Sequence, residues 1–143
     1  MVYLDTSFIA PLVIAEASSE SVEAFLLGRK TELATSQWTR VELASLVSRR
    51  VRMGEFDADQ AEAIRAALDR LLSESFTMLT PTAADFTTAV ALLAKPGTGL
   101  RAGDALHLAI ARNHGAKTMY TLDRGLLKAG KQLKVPVSVG VRL

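Results

Sequence analysis

Four acidic residues, Asp5, Glu42, Asp104 and Asp123, stand in contexts that can bring them to one site. Asp5 follows the apolar run Val2-Tyr3-Leu4, and Asp123 follows Thr121-Leu122, so each falls at the carboxyl end of a predicted strand. In a parallel sheet those ends open on one edge, and ligands bind there where the strand order reverses. If the two strands are neighbours, their carboxylates approach, repel and resist ionising unless a cation or a proton sits between them. Glu42 and Asp104 lie on predicted helices that are otherwise core-like, in Val41-Glu42-Leu43-Ala44 and Asp104-Ala105-Leu106-His107-Leu108-Ala109. A hard divalent ion such as Mg²⁺ or Mn²⁺ takes carboxylate, water and phosphate oxygens. Held by such a cluster, it activates a water and clamps an in-line displacement at phosphorus.

Each acid also has a plain structural explanation. Asp104, in the first turn of its helix, meets the helix dipole favourably, and Glu42 can face solvent beside Arg40 or Ser45. Only the set points to chemistry. The two histidines add little: His107, three residues after Asp104, reads as a packed or hydrogen-bonded core residue at the edge of the site, and His114 as a cation at a helix end. Trp38 can stack on a base but directly precedes a helix, which favours packing. Gly97-Thr98-Gly99-Leu100-Arg101-Ala102-Gly103 lacks the dinucleotide spacing and a Gly-Lys-Ser/Thr ending, so it reads as a connection on the substrate rim.

The elements that must position the acids alternate strand and helix with no hairpin signal. Val2–Asp5 is a strand, and Thr6 or Ser7 caps a helix with Pro11 near its first turn. A helix follows from Ser19 to Leu27, stopped by Gly28. Leu33–Thr35 is a weak strand, and Ser36 or Thr39 opens a helix to Met53, stopped by Gly54. Asp57 and Gln60 form a capping box for a helix to about Ser73. Phe76–Thr80 is a strand, Thr82 caps a helix ending near Lys95-Pro96, and a further helix spans about Ala102–Asn113. Thr118–Leu122 is a strand, a short helix runs to Gly130, and Val135–Val139 is the last strand. This order predicts an α/β/α sandwich with a central four- to five-stranded parallel sheet, residues 1–143 forming a single domain.

With no cysteine, disulfides and zinc–thiolate sites are excluded, which fits a reducing cytosol. The first apolar stretch is broken by Asp5 and Pro11 and lacks a basic leader, so no targeting or membrane segment is expected and the cytoplasm is the expected location. Seventeen Lys and Arg face 15 Asp and Glu, so withdrawing four acids into a pocket leaves a basic surround suited to a polyanion. Candidate phosphate contacts are Arg40, Arg49, Arg50 and Arg52 on the Glu42 helix, with Arg101 and Arg124 preferred because they adjoin Asp104 and Asp123.

Val2-Tyr3-Leu4-Asp5-Thr6-Ser7, Arg40-Val41-Glu42-Leu43, Arg101-Ala102-Gly103-Asp104-Ala105-Leu106-His107-Leu108-Ala109 and Tyr120-Thr121-Leu122-Asp123 resemble, in order, the acidic motifs of PIN domains. The closest likeness is to the VapC type of toxin, and it covers the whole chain. The resemblance implies the PIN fold and an endoribonuclease dependent on Mg²⁺ or Mn²⁺. It further implies that Asp5 and Asp104 ligate metal most directly, that Glu42 and Asp123 act through metal waters or position the nucleophile, and that Thr6, Ser7 and Thr121 support them. It also implies a homodimer, an antitoxin partner whose C-terminal segment blocks the site, and operator DNA bound only through that complex. A rival phosphoacceptor domain needs paired acids after the first strand and a lysine after the last, and a haloacid-type phosphatase needs an aspartate where Ser7 stands; neither pattern is present. A PIN-fold binding module that does not cut, and acts through an RNA or protein partner, remains the alternative.

Overall fold

In the computed structural model, residues 1–142 are described, and Leu143, the last residue of the expected domain span, lies outside the described residues. Five strands, β1 (Val2–Leu4), β2 (Leu33–Ser36), β3 (Thr77–Leu79), β4 (Met119–Tyr120) and β5 (Val137–Ser138), form one sheet in the order β3-β2-β1-β4-β5. Every pairing is parallel. The chain builds outward from β1 through β2 to β3, then returns to lay β4 on the other side of β1. The strand order therefore reverses between β1 and β4, where Leu4 is in register with Tyr120.

Among the described residues seven α-helices cover the sheet: α1 (Thr6–Ile9), α2 (Ser19–Leu27), α3 (Gln37–Arg52), α4 (Ala58–Ser75), α5 (Ala83–Leu93), α6 (Ala102–Asn113) and α7 (Arg124–Gln132). Side chains of a strand alternate between faces, and β1 divides its residues accordingly. Val2 and Leu4 pack with Phe8, Val22, Leu43, Val47, Leu68 and Leu72 from α1 to α4. Tyr3 points the other way and packs with Leu92, Leu108, Ile110 and Leu126 from α5 to α7. The result is the expected three-layered α/β/α sandwich. The seven residues from Ala105 to Ala111 are all buried, which makes α6 the internal helix of its layer.

Local chemistry explains most boundaries. The Asp57–Gln60 capping box forms as expected, and Thr82 forms a second one with Asp85. Gly54 follows α3 at φ 75°, a left-handed turn that glycine adopts without a Cβ penalty. Gly28 ends α2 with φ −83°, so it stops the helix without that turn. Two expectations need correction. Neither Thr6 nor Ser7 caps the first helix, because their hydroxyls are engaged elsewhere; the Asp5 carboxylate accepts from the Phe8 N–H instead. Pro11 lies outside that helix, in a 3-10 turn spanning Ala10–Leu12. Ser36 precedes α3 but makes no side-chain cap, since its hydroxyl turns inward to Tyr3. Among the described residues no helix is long and apolar enough to cross a membrane.

Candidate active site

Asp5 ends β1 fully inside the protein, only 3% exposed, and every donor around it holds its carboxylate in place. Ser7 Oγ donates to Oδ1 at 2.7 Å, the Phe8 N–H donates to the same oxygen at 3.2 Å, and Thr121 Oγ1 donates to Oδ2 at 2.6 Å. The same two hydroxyls accept from the loop after β4: Leu122 N–H donates to Ser7 Oγ at 2.8 Å and Asp123 N–H to Thr121 Oγ1 at 3.1 Å. Ser7 and Thr121 thereby clamp the loop that carries Asp123 onto Asp5, across the point where the strand order reverses. Asp123 is exposed and caps α7 by accepting from Leu126 N–H with Oδ1, at 2.9 Å.

Glu42 enters from α3. Its Oε1 accepts from Thr6 Oγ1 at 2.6 Å and is hydrogen-bonded to His107 Nε2. Its Oε2 is left over and faces Gly103 at the start of α6. A Cβ added at Gly103 would lie 3.2 Å from that oxygen and 3.3 Å from Cζ2 of Trp38. Glycine at this position lets α6 approach α3 closely enough to bring Asp104 beside Glu42.

Asp5, Glu42, Asp104 and Asp123, from four different elements, line one cleft of about 500 Å³ together with Thr6, Ser7, Trp38, Ser45, Arg49 and His107. A groove of about 430 Å³ between α3 and α4 is lined by Val41, Leu43, Ala44, Val47, Leu68 and Leu72 and has Asp69 as its single acid, so the chemistry belongs to the first cleft. Asp104 feels the company most. Burial, and then the charges of Asp123, Asp5 and Glu42, push its carboxyl up to about 6. Burial also raises Asp5, against the pull of the nearby His107 and of the Thr121 and Ser7 hydroxyls. Burial opposes ionisation of Glu42 as well, but the bonds from His107 and Thr6 outweigh it and leave the carboxyl below its usual range.

The donor chemistry fits a hard divalent cation: four carboxylates, no thiol, and mutual repulsion that a cation relieves. As they stand, no three acidic or histidine side chains among the described residues are gathered tightly enough to hold an ion. Repulsion works against such a gathering, and Mg²⁺ characteristically keeps several waters between itself and protein.

All seven acidic and hydroxyl residues expected at the site meet here. Of the expected cations, Arg49 lines the cleft, is exposed and makes no salt bridge among the described residues, whereas Arg50 beside it is paired with Glu16 and Glu55. Arg101 and Arg124 are exposed at the starts of α6 and α7 and are not among the residues lining the cleft. Trp38 both packs on the core and walls the cleft, with its indole N–H buried and unpaired. His107 carries more than its sequence context suggests: it is 1% exposed and bonds the site through Nε2 and Tyr3 through Nδ1. The Asp104-x-x-His107 spacing on a core helix was the one signal for it.

The PIN domain family matches residues 2–132. No curated protein sequence matches the chain. Among solved structures, VapC20 of Mycobacterium tuberculosis, described as a sarcin-ricin loop cleaving toxin, superposes with a TM-score of 0.75 at 22% identity, covering 91% of this chain and 95% of that one. FitAcB from Neisseria gonorrhoeae gives 0.78 at 20% identity, covering 98% of each chain. VapBC2 from Rickettsia felis, bound to a DNA fragment from its promoter, gives 0.68 at 19% identity, covering 96% of this chain and 98% of that one.

Proposed function

The chain belongs to the PIN-domain family, and from that premise we propose that it is the toxin of a toxin–antitoxin pair, an endoribonuclease dependent on Mg²⁺ or Mn²⁺. The observation that carries this reading is the convergence of four carboxylates from four elements on one cleft at the reversal of the sheet. The likeness to VapC20, FitAcB and VapBC2 supports it.

Asp5 and Asp104 would hold the ion most directly, and Glu42 and Asp123 would act on it through water. The ion, when bound, polarises the scissile phosphodiester and makes a water a competent nucleophile at neutral pH. The chain's residues do the rest. Ser7 and Thr121 keep Asp5 and the Asp123 loop in one fixed relation, Thr6 holds one oxygen of Glu42, and Gly103 leaves its other oxygen open to the cleft. Arg49 holds a phosphate at the rim, where an unpaired cation beside an acidic pocket draws a polyanion in; Arg101 and Arg124 extend that attraction. Residues 1–143 act as one domain, as a homodimer in the cytoplasm, held silent by a cognate antitoxin. Operator DNA is bound through the antitoxin complex.

The test is cleavage of total RNA by the purified, antitoxin-free chain with Mg²⁺ or Mn²⁺, with EDTA, and with Asp5→Asn. Discrete fragments that vanish in both controls support the nuclease. Fragments that persist in Asp5→Asn place the site elsewhere. A folded chain that binds RNA in all three conditions and never cuts it is a binding module.

A further inference from the structure

A line of buried polar groups runs from the cleft into the layer between the sheet and α6. His107 Nε2 meets Glu42 Oε1, His107 Nδ1 lies 2.8 Å from Tyr3 Oη, and Tyr3 Oη lies 2.8 Å from Ser36 Oγ. Tyr3 and Ser36 are 0% exposed. Ala105, Leu108, Ala109 and Met119 fill the apolar part of this layer, and the buried hydroxyls of Thr35 and Thr39 lie close to Tyr3 on its Ser36 side. Three polar side chains in such a place cost desolvation that an apolar core would avoid. They come from β1, the end of β2 and α6, and the line ends on a carboxylate of the cleft.

Hydrogen-bond accounting gives the line a direction. Among the described residues Ser36 Oγ makes no hydrogen bond other than the one it shares with Tyr3 Oη. For its proton to be used, Ser36 donates to Tyr3. Tyr3 then has its own proton for His107 Nδ1, and a ring that accepts at Nδ1 carries its proton on Nε2, facing Glu42. The reverse direction leaves the Ser36 proton buried without an acceptor, which is the costly alternative. Thr6 Oγ1 donates to the same Oε1, so two donors hold one oxygen of Glu42 and leave the other facing Gly103, at the start of the helix that carries Asp104.

We propose that the Ser36–Tyr3–His107 line is a positioning relay for Glu42: Tyr3 selects the His107 tautomer, and His107 aims the free oxygen of Glu42 into the acid cleft. Tyr3 and Ser36 do not line the cleft, and His107 borders it while only 1% exposed. The relay rests on reading the cleft as a divalent-cation site, and it assigns a purpose to the buried Tyr3 and Ser36 behind His107.

The decisive variant is Tyr3→Phe, which removes one oxygen and keeps the ring. Mn²⁺ affinity, followed by electron paramagnetic resonance of the free ion, falls by about tenfold, the effect expected when a group orienting a ligand is lost. In a Glu42→Gln background the same substitution changes Mn²⁺ affinity no further. His107→Leu loses as much affinity as Tyr3→Phe, and His107→Gln, whose amide N–H still reaches toward Glu42, regains part of it. Long-range ¹H–¹⁵N spectra show His107 protonated on Nε2 in the wild type and redistributed in Tyr3→Phe. A Tyr3→Phe protein that melts lower but binds Mn²⁺ as the wild type does overturns the relay alone, leaving these residues as packing. So does an Nδ1–H tautomer in the wild type. A wild-type chain that binds no Mn²⁺ overturns the functional reading and the relay together.

Discussion

Asp85 and Asp104 sit on neighbouring helices, close to opposite ends of α6, the first buried and the second half-buried, and their surroundings are built on opposite principles. Asp85 is 0% exposed and saturated with donors. Thr82 N–H reaches it at 2.8 Å, Asn113 Nδ2 at 2.9 Å and His114 Nε2 at 2.9 Å. Burial pushes its carboxyl up, but the bonds from Thr82, His114 and Asn113 prevail and hold it below the usual range. Asp104 has no such set of donors; burial and then the charges of Asp123, Asp5 and Glu42 drive its carboxyl up to about 6 against the opposing pull of His107. One knot ties α5 to the end of α6, and the other stores repulsion at the start of α6. Perturbed acids without partners gather where a protein does chemistry, and satisfied ones where it holds itself together.

The largest expected difference between the two regions is in cleavage. Asp104→Asn lowers the rate of RNA cleavage by roughly a thousandfold or more, the scale on which members of a catalytic unit act. Asp85→Ala, assayed well below its melting temperature, stays within about threefold of the wild type, because it removes no group from the cleft. Single-turnover cleavage of a mapped RNA substrate measures both.

Stability separates them with opposite signs. Asp85→Ala strands Asn113 and His114 and costs about 2–4 kcal/mol, lowering the melting temperature by roughly 6–15 °C. Asp104→Asn removes the repelled charge. In the metal-free protein at pH 8 it gains on the order of 1 kcal/mol, discounted for the partial solvent screening of the cleft. Denaturant melts in EDTA measure both changes.

Acid titration of the metal-free protein then splits the pair. The folded chain holds the Asp104 proton more tightly than the unfolded one, so the stability tied to this group is full below about 3.8 and is lost as the pH rises through about 6. Asp85 behaves in the opposite way. Its contribution is full above 3.8 and is lost as the pH falls through its lowered folded value. The gain from Asp104→Asn is therefore present at pH 8 and absent at pH 3.5, while the loss from Asp85→Ala persists to pH 5 and shrinks below 3.8.

The legibility of these regions in the sequence follows the reach of the contacts. Asp5 and Asp123 declare themselves because an acid closing an apolar strand is a local pattern, and a parallel sheet fixes where such residues go. The strand holding Asp123 is shorter than expected, since β4 pairs only through Met119 and Tyr120 before the loop turns toward Ser7. Asp5 as a helix cap is concealed by Thr6 and Ser7, which also cap helices by type but whose hydroxyls are committed to Glu42 and Asp5. The His107 line is invisible to any window along the chain, since its members are separated by 33, 104 and 65 residues and meet only when β1, β2, α3 and α6 have packed. The same holds for Asp85, whose partners at the end of α6 and just beyond it lie 28 and 29 residues away. His114, read as a cation serving its helix end, is a partner of that buried acid.

The central claim is that the repulsion around Asp104 is there to be relieved by a divalent cation, and thermal melts of the wild type and Asp104→Asn at pH 8 across a Mn²⁺ titration test it most directly. Without metal the variant melts about 3 °C above the wild type. Ligand at a hundredfold over its dissociation constant adds about 2.7 kcal/mol to the state that binds it, so the wild type climbs with Mn²⁺, the variant lags, and their order reverses. Two curves that rise together, or two that ignore the ion, would contradict the account.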